Sequence, residues 1–190
     1  MRILLPLSLV FAVVLMSQGV VQNFDGHTVA TTIDQSTGVD EQLIPGGPVA
    51  SQEAIKELGT NGGGYYNANS AHPFESPNGF TNIMENYLLL LIPLSLAIAF
   101  GTLVKDRRQG RLVLGVMAGI LIVFSVGTML IEQNGNPALT SLGVDQSIST
   151  TQSGGNMEGK ELRFGAAACG LFAAGTTGTC LLYTSPSPRD

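Results

Sequence analysis

The sequence predicts an all-α integral membrane protein, because three uncharged apolar blocks alternate with polar stretches along it. The blocks are Ile3–Val21, Tyr87–Val104 and Leu112–Ile131. A helix of roughly 20 apolar residues crosses the hydrocarbon core of a bilayer. The second and third blocks lack the polar stripe of a soluble helix. Charged residues are only 12% of the 190, against roughly 25% in soluble domains. Segments 87–104 and 112–131 are therefore predicted spans.

The first block, 3–21, has two interpretations from its residues alone. It can be a third span. Met1-Arg2 before an apolar run, followed by Ser17-Gln18-Gly19, also fits a secretory signal with a cleavage site of small residues. The pattern itself leaves both open.

The charges between the blocks predict an orientation. Segment 105–111 carries four basic residues and one acid, whereas segment 22–86 carries eight acids and one base, Lys56. Basic residues in short loops stay on the cytoplasmic side. We therefore expect 105–111 to be a cytoplasmic loop that anchors the chain, and 22–86 to lie outside. The net charge of −5 and the lack of a basic stripe exclude nucleic acid as a partner.

The outer segment contains a short predicted helix that runs into glycines. Pro48 at an early position and good helix formers after it predict a helix over 48–58, and Gly59 ends it. The triglycine 62–64 follows within the loop 59–67. Glycines allow positive φ, so successive carbonyls can point to one side and replace the water shell of an alkali cation. The helix would aim its negative C-terminal end at that ion.

Other interpretations of this outer segment stay open on composition. A glycine run is common in flexible extracellular loops. His72 and Glu75 could pair as proton carriers or metal ligands, but two residues make no site, and a surface His and Glu in a polar loop is the simpler interpretation.

The same order of elements recurs after the third block. A polar stretch leads to a predicted short helix over about 161–174, which is followed by a Gly/Thr turn over 175–179. Such internal repetition is informative about architecture. Within this stretch, 154–160 has the glycine and lysine spacing of a phosphate-binding loop. Glu161 follows where Ser or Thr would hold magnesium, and no buried strand precedes it, so nucleotide binding is excluded.

The stretch GTNGGGYYNANSAHPFE at Gly59–Glu75 resembles the potassium-binding, pore-forming subunit of the bacterial Kdp-type potassium-transporting P-type ATPase. Four further stretches are similar to that family in the same order, and the likeness extends from Met1 to about Thr179. These stretches are Gly46–Ile55, Asp106–Arg111, Gly135–Pro137 and Asn156–Glu161.

The resemblance implies potassium-channel-like helix–pore loop–helix repeats, four around one filter, of which this chain holds about two. Residues 1–104 would form a complete repeat, with spans 3–21 and 87–104, pore helix 48–58 and filter 59–67. Residues 112–180 would start the next repeat, with span 112–131. The resemblance thus makes the first block a span. Residues 181–190, with their Ser-Pro-Ser-Pro run, cannot continue a membrane helix and are expected to be a non-native tail, leaving that repeat truncated.

The resemblance also implies the ion-binding residues. Thr60, Asn61 and Gly62 would form the filter with Gly63 in support, and Thr179 with Cys180 would begin a second filter loop. Tyr65 and Tyr66 would pack behind the first loop as a cuff. No catalytic residue and no metal other than potassium is expected.

The function implied is to bind and select extracellular potassium and pass it through the bacterial plasma (inner) membrane, as a multi-pass subunit that hydrolyses nothing. Its partners would be an ATP-hydrolysing catalytic subunit, small accessory subunits and membrane lipid. The alternatives are an ATP-independent potassium channel or symporter, or a secreted or anchored acidic binding module exposing 22–86. The run of three glycines favours the pump, because the ATP-independent relatives usually carry one central glycine per filter.

Overall fold

The structure of the chain is a computed structural model that describes residues 2–33, 38–61, 63–66 and 70–179. The described part is mostly helical, as predicted. We call α1 to α3, with the hairpin between them, the first unit, and α4 to α6 the second unit. In chain order the elements are α1 (Leu4–Ser17), β1 (His27–Thr31), β2 (Glu41–Pro45), α2 (Val49–Gly59), α3 (Gly79–Leu103), α4 (Arg107–Gln133), α5 (Pro137–Ser141) and α6 (Gly165–Gly178).

Two helices, α3 and α4, are long and apolar enough to cross a membrane. With 25 and 27 residues at about 1.5 Å each, both exceed the roughly 30 Å thickness of a hydrocarbon core. They contain nearly all of the predicted spans 87–104 and 112–131. Only 6% of the most apolar window of α4 is buried, so this helix presents an apolar surface outward, as a lipid-facing helix does.

The first block forms a shorter helix than the predicted span 3–21. α1 has 14 residues, and the chain turns at Gln18 and Gly19, where φ reaches 96°. At about 1.5 Å per residue α1 is about 21 Å long, short of the hydrocarbon thickness. Its buried side chains pack against the start of α2, and this contact forms the core of the first unit. The core residues are Ala12, Leu15, Val20, Val49, Ala50 and Ala54.

A two-stranded hairpin departs from the all-α prediction. β1 and β2 pair antiparallel, with His27 opposite Pro45 and Thr31 opposite Glu41. Their side chains are mostly exposed, so the sequence carries no alternation of apolar and polar residues that would have signalled strands. The hairpin carries the polar outer chain from α1 back to the start of α2.

α2 lies between α1 and α3 and contacts both. Its free N–H groups are bound by the segment that follows α1, because the Ala50 N–H donates to the Val21 carbonyl at 2.9 Å. The Ser51 N–H donates to Gln22 Oε1 at 3.0 Å. Since side-chain and backbone partners satisfy these orphan donors, α2 is fixed at its start by the chain leaving α1.

The hairpin between α3 and α4 brings two backbones into direct contact. A Cβ added at Gly101 would lie 2.7 Å from the Gly110 Cα, so a larger residue would separate the helices. Asp106 ends the short connection and caps α4, accepting from the N–H groups of Arg108 at 2.9 Å and Gln109 at 3.2 Å. The predicted loop 105–111 is therefore shorter than expected, because α4 begins at Arg107.

In the second unit, α6 packs against α4 and reaches α3. The Thr128 hydroxyl on α4 donates to the Gly170 carbonyl on α6 at 3.1 Å. A Cβ at Gly170 would lie 3.3 Å from the α4 backbone, so this close approach depends on glycine. The predicted short helix at about 161–174 is observed as α6, which begins and ends later.

Candidate functional site

The site begins where α2 ends, at a left-handed residue. Thr60 has φ 51° and ψ 46°, a conformation that is unusual for a β-branched side chain. The Thr60 N–H donates to the Glu57 carbonyl at 3.3 Å, and the Asn61 N–H donates to the Lys56 carbonyl at 3.1 Å. These two bonds form a Schellman motif, a common helix ending that normally places glycine at the left-handed position. Here the strained position is a threonine.

Gly59 allows Asn61 to fold back over the helix end. A Cβ at Gly59 would lie 2.9 Å from Asn61 Oδ1, which is too close for an ordinary contact. The absence of a side chain at Gly59 therefore lets the Asn61 amide lie against the last turn of α2. Thr60 and Asn61 therefore follow directly on the C-terminal end of α2, which is the negative end of the helix dipole.

The remaining predicted filter residues are placed in part. Gly62 lies outside the described residues. Gly63 is exposed, and a Cβ added to it would meet no atom within 4 Å. Positive φ is observed at Thr60, ahead of the glycine run. Asn61 is exposed and Thr60 is half-buried.

The two tyrosines after the glycines bind the chain that precedes α2. The Tyr66 hydroxyl donates to the Pro45 carbonyl at 2.6 Å, and the Tyr65 hydroxyl donates to the Gly46 carbonyl at 2.9 Å. Gly47, with φ 134°, leaves space that the Tyr65 hydroxyl fills, because a Cβ there would collide with it. Both rings thus connect the chain after the glycine run to the chain before α2.

A buried carboxylate holds the same two residues from the other side. Glu75 Oε1 accepts from the N–H of Tyr65 at 2.5 Å and from the N–H of Tyr66 at 2.8 Å. Glu75 is 0% exposed, so the interpretation of His72 and Glu75 as surface residues is wrong for Glu75. His72 is half-buried and stacks on Tyr66 with ring centroids 4.6 Å apart. Burial, assisted by the charge of Arg163, lowers the pKa of His72.

An ionic cluster lies on the buried side of α2. Lys56 Nζ pairs with Glu53 at 2.5 Å and Glu57 at 3.2 Å, and it also contacts the Ser70 hydroxyl. The Ser70 hydroxyl lies 2.6 Å from Glu53 Oε2 and 2.9 Å from Glu57 Oε1. Burial disfavours the charged amine of Lys56, but the carboxylates of Glu57 and Glu53 outweigh it, so its pKa is raised. Breaking a buried ion pair leaves an uncompensated charge. Because Ser70 contacts all three charged groups, the cluster connects α2 to the loop that contains Ser70.

The second predicted filter position has a different geometry. The Gly/Thr stretch 175–178 continues α6 instead of forming a turn. The Thr179 hydroxyl donates within its own helix end, at 3.3 Å to the Gly175 carbonyl and 3.1 Å to the Thr176 carbonyl. Cys180 and the tail 181–190 lie outside the described residues.

Arg163 connects the two units at this site. Its Nη1 donates to the Ser76 carbonyl at 2.7 Å and its Nη2 donates to the Ala71 carbonyl at 3.3 Å. Glu161 orients the guanidinium through Nε at 3.0 Å. No local pattern signals this contact, since 87 and 92 residues separate the partners. The burial of Glu75 was missed for a similar reason, although an acid beside a Pro-Phe pair was a weak sign of it.

Comparisons with known proteins identify the family of the chain. The family model described as potassium-transporting ATPase A subunit, KdpA, matches residues 1–181. A potassium-transporting ATPase potassium-binding subunit of Mycobacterium bovis is 56% identical over 179 residues, covering 94% of this chain and 31% of that relative. The corresponding subunit of Sorangium cellulosum is 56% identical over 92% of the chain, and that of Janthinobacterium is 49% identical over 92%. The chain spans about a third of the length of these relatives. The chain belongs to the KdpA family of potassium-transporting ATPase A subunits.

Proposed function

We propose that this chain forms part of the ion-selecting subunit of an ATP-driven potassium-uptake complex in the bacterial plasma membrane. The relatives named above are potassium-binding subunits. The observation that carries the proposal is the end of α2, where a strained Thr60 begins a chain segment held on both sides. Strained backbone persists where the surrounding structure fixes it, and it is found disproportionately at functional sites.

The chemistry available at this site suits a dehydrated alkali cation. Thr60 offers a hydroxyl and a carbonyl, and Asn61, Gly62 and Gly63 offer backbone oxygens. Such oxygens can replace the hydration shell of potassium, and the negative end of α2 adds a favourable field. A neutral ligand set lets the ion leave as well as enter, as conduction requires. The exposed side of Asn61 and Gly63 would face the ion path that the other repeats complete.

In this proposal the chain hydrolyses nothing. An ATP-hydrolysing catalytic subunit would drive the selected ion inward, and small accessory subunits would complete the complex. α3 and α4 would cross the membrane, and the basic residues at the start of α4 would lie in the cytoplasm. The four-repeat, channel-like arrangement around one filter belongs to the same proposal.

The test uses the full-length parent subunit in its complete complex. Gly62→Asp should raise the potassium concentration needed for half-maximal ATPase activity and weaken the rejection of rubidium and sodium. Gly26→Asp is the matched control, because Gly26 lies in the same outer segment with nothing within 4 Å of its Cβ position. Unchanged affinity and selectivity in Gly62→Asp would remove Gly62 from the filter.

The same purification separates the pump from an ATP-independent channel or symporter. We expect the tagged subunit to co-purify with an ATPase that forms a phosphorylated intermediate. Ion uptake into vesicles by the subunit without such a partner, and without ATP, would favour the second function.

A further inference from the structure

We propose that Glu75 is a positioning residue of the ion filter, and that its carboxylate sets ion selectivity by fixing the backbone of Tyr65 and Tyr66, at the end of the filter loop 59–67. This inference rests on the proposed function, because it assigns a role within the same site. Glu75 does not contact the ion in this proposal. It acts through the main chain of the loop.

The first support is the geometry of the carboxylate. One oxygen, Oε1, accepts from two consecutive main-chain N–H groups, at 2.5 Å from Tyr65 and 2.8 Å from Tyr66. Hydrogen bonds to an ionised acceptor are roughly twice as strong as neutral ones. Two donors that converge on one charged atom fix the direction of the peptide between them. That peptide lies two residues beyond Gly63.

The second support is the rigid base on which Glu75 stands. The N–H groups of Glu75 and Ser76 both donate to the His72 carbonyl at 3.0 Å, forming a tight turn. Arg163 of the second unit then binds the carbonyls of Ser76 and Ala71. Because Arg163 holds the turn at both ends, the main chain that carries Glu75 is fixed relative to the segment before α6.

The third support is that the loop is held from the opposite side as well. The Tyr65 and Tyr66 hydroxyls donate to the carbonyls of Gly46 and Pro45, before α2. The two residues are therefore held through their N–H groups by Glu75 and through their hydroxyls by the chain before α2. Loss of the Glu75 carboxylate would let the peptides of Tyr65 and Tyr66 change orientation, while their rings stay bound through the hydroxyls.

The fourth support is the cost of this arrangement. Glu75 is 0% exposed, and its second oxygen, Oε2, has no hydrogen-bond partner among the described residues. A buried carboxylate is expensive unless it is paired, and the partners here are main-chain N–H groups of the loop. Burial, with the Glu53 carboxylate nearby, raises the pKa of Glu75 to about 7. The titratable groups that act on the Glu75 carboxylate are Glu53 and Lys56 on α2 and Tyr66 on the loop.

The experiment measures potassium-stimulated ATPase activity of the complete complex with Glu75→Gln. We expect the KM for potassium to rise about tenfold, since two charge-assisted bonds become neutral. Discrimination against rubidium should fall, while kcat at saturating potassium stays close to the wild-type value. Glu85→Gln is the matched control, because Glu85 is equally buried and its carboxylate accepts no hydrogen bond from the described residues of the loop. Its KM should stay at the wild-type value.

A second measurement avoids any folding defect in the variant. In the wild-type complex, the KM for potassium should rise as pH falls through about 7, where Glu75 gains its proton. A flat KM profile, or a Glu75→Gln complex with unchanged KM and selectivity, would overturn the positioning role. If Gly62→Asp alters selectivity in the same assay, the proposed filter survives that failure. If neither variant changes selectivity, the proposed function itself is wrong.

Discussion

Replacement of Thr60 by glycine should change the stability of the protein and its affinity for potassium in opposite directions. A left-handed conformation costs a non-glycine residue roughly 1–2 kcal/mol, and Thr60 adopts it at φ 51°. Glycine removes that cost but adds about 0.4–1 kcal/mol through the entropy of the unfolded chain. The Schellman bonds from Thr60 and Asn61 use only main-chain atoms, so Thr60→Gly keeps them. The net change is a stabilisation of about 1 kcal/mol.

Binding should change in the opposite direction. Thr60→Gly removes the hydroxyl that we place beside the ion, and loss of one hydrogen-bond-strength ligand of about 1.4 kcal/mol corresponds to about a tenfold weaker affinity. Thr60→Ser is the matched variant, because it keeps the hydroxyl and removes only the β-branch. Its potassium affinity should remain close to that of the wild type.

The assay pairs the apparent melting temperature of the purified complex with the KM for potassium. For Thr60→Gly the melting temperature should rise, by less than the roughly 2–4 °C that about 1 kcal/mol produces in a domain of about 200 residues, while the KM rises. If Thr60→Gly melts at a lower temperature, the left-handed geometry at position 60 is refuted. If its KM equals that of Thr60→Ser, the hydroxyl is not an ion ligand.

Three further predictions use the same purified complex. Gly101→Ala should lower the melting temperature, because its Cβ would lie 2.7 Å from the Gly110 Cα and overpacking costs about 1–3 kcal/mol, whereas Gly115→Ala, with open space, should not lower it. Equal melting temperatures would mean that the helix contact is loose. Arg163→Lys should lower the melting temperature and speed proteolysis of the loop at 71–76, because an ammonium cannot bind both carbonyls as the guanidinium fork does; an unchanged cleavage rate would contradict this. Glu75 has a raised pKa of about 7, against an ordinary 4.5, so the folded state binds the carboxyl proton of Glu75 more tightly than the unfolded state does. The contribution of Glu75 to the free energy of unfolding is therefore at its full value below pH 4.5 and is lost as pH rises through 7. Glu75→Gln should flatten that part of the melting profile, and an unaltered slope would assign it to another group.

The sequence predicted the elements that local pattern controls. The apolar runs at 87–104 and 112–131 lie within α3 and α4, apart from Val104 at the end of the first, and Pro48 with Gly59 predicted the limits of α2 closely. The starts of the long helices were harder to predict. α3 begins at Gly79, before its apolar part, because the Asn78 and Thr81 side chains form a reciprocal capping box.

What depends on contacts between distant residues could not be predicted. The exposed hairpin gives no hydrophobic alternation, and the burial of Glu75 depends on α2 and the chain before it. At the candidate site the sequence predicted the position of the loop but placed the left-handed turn in the glycines. The structure shows a left-handed residue at Thr60 that the sequence did not predict, because a Schellman ending is defined by where the helix stops and does not need glycine.

The Arg163 contact has a consequence for how the two units can evolve. The guanidinium of Arg163, just before α6 in the second unit, binds main-chain carbonyls of the first unit. Main-chain carbonyls cannot be altered by substitution at Ala71 or Ser76, so the docking survives side-chain drift on that side. A change in the length of either loop, however, would displace the partner atoms. An insertion or deletion near 71–76 would therefore have to be compensated near 161–163, so we expect the lengths of the two loops to change together.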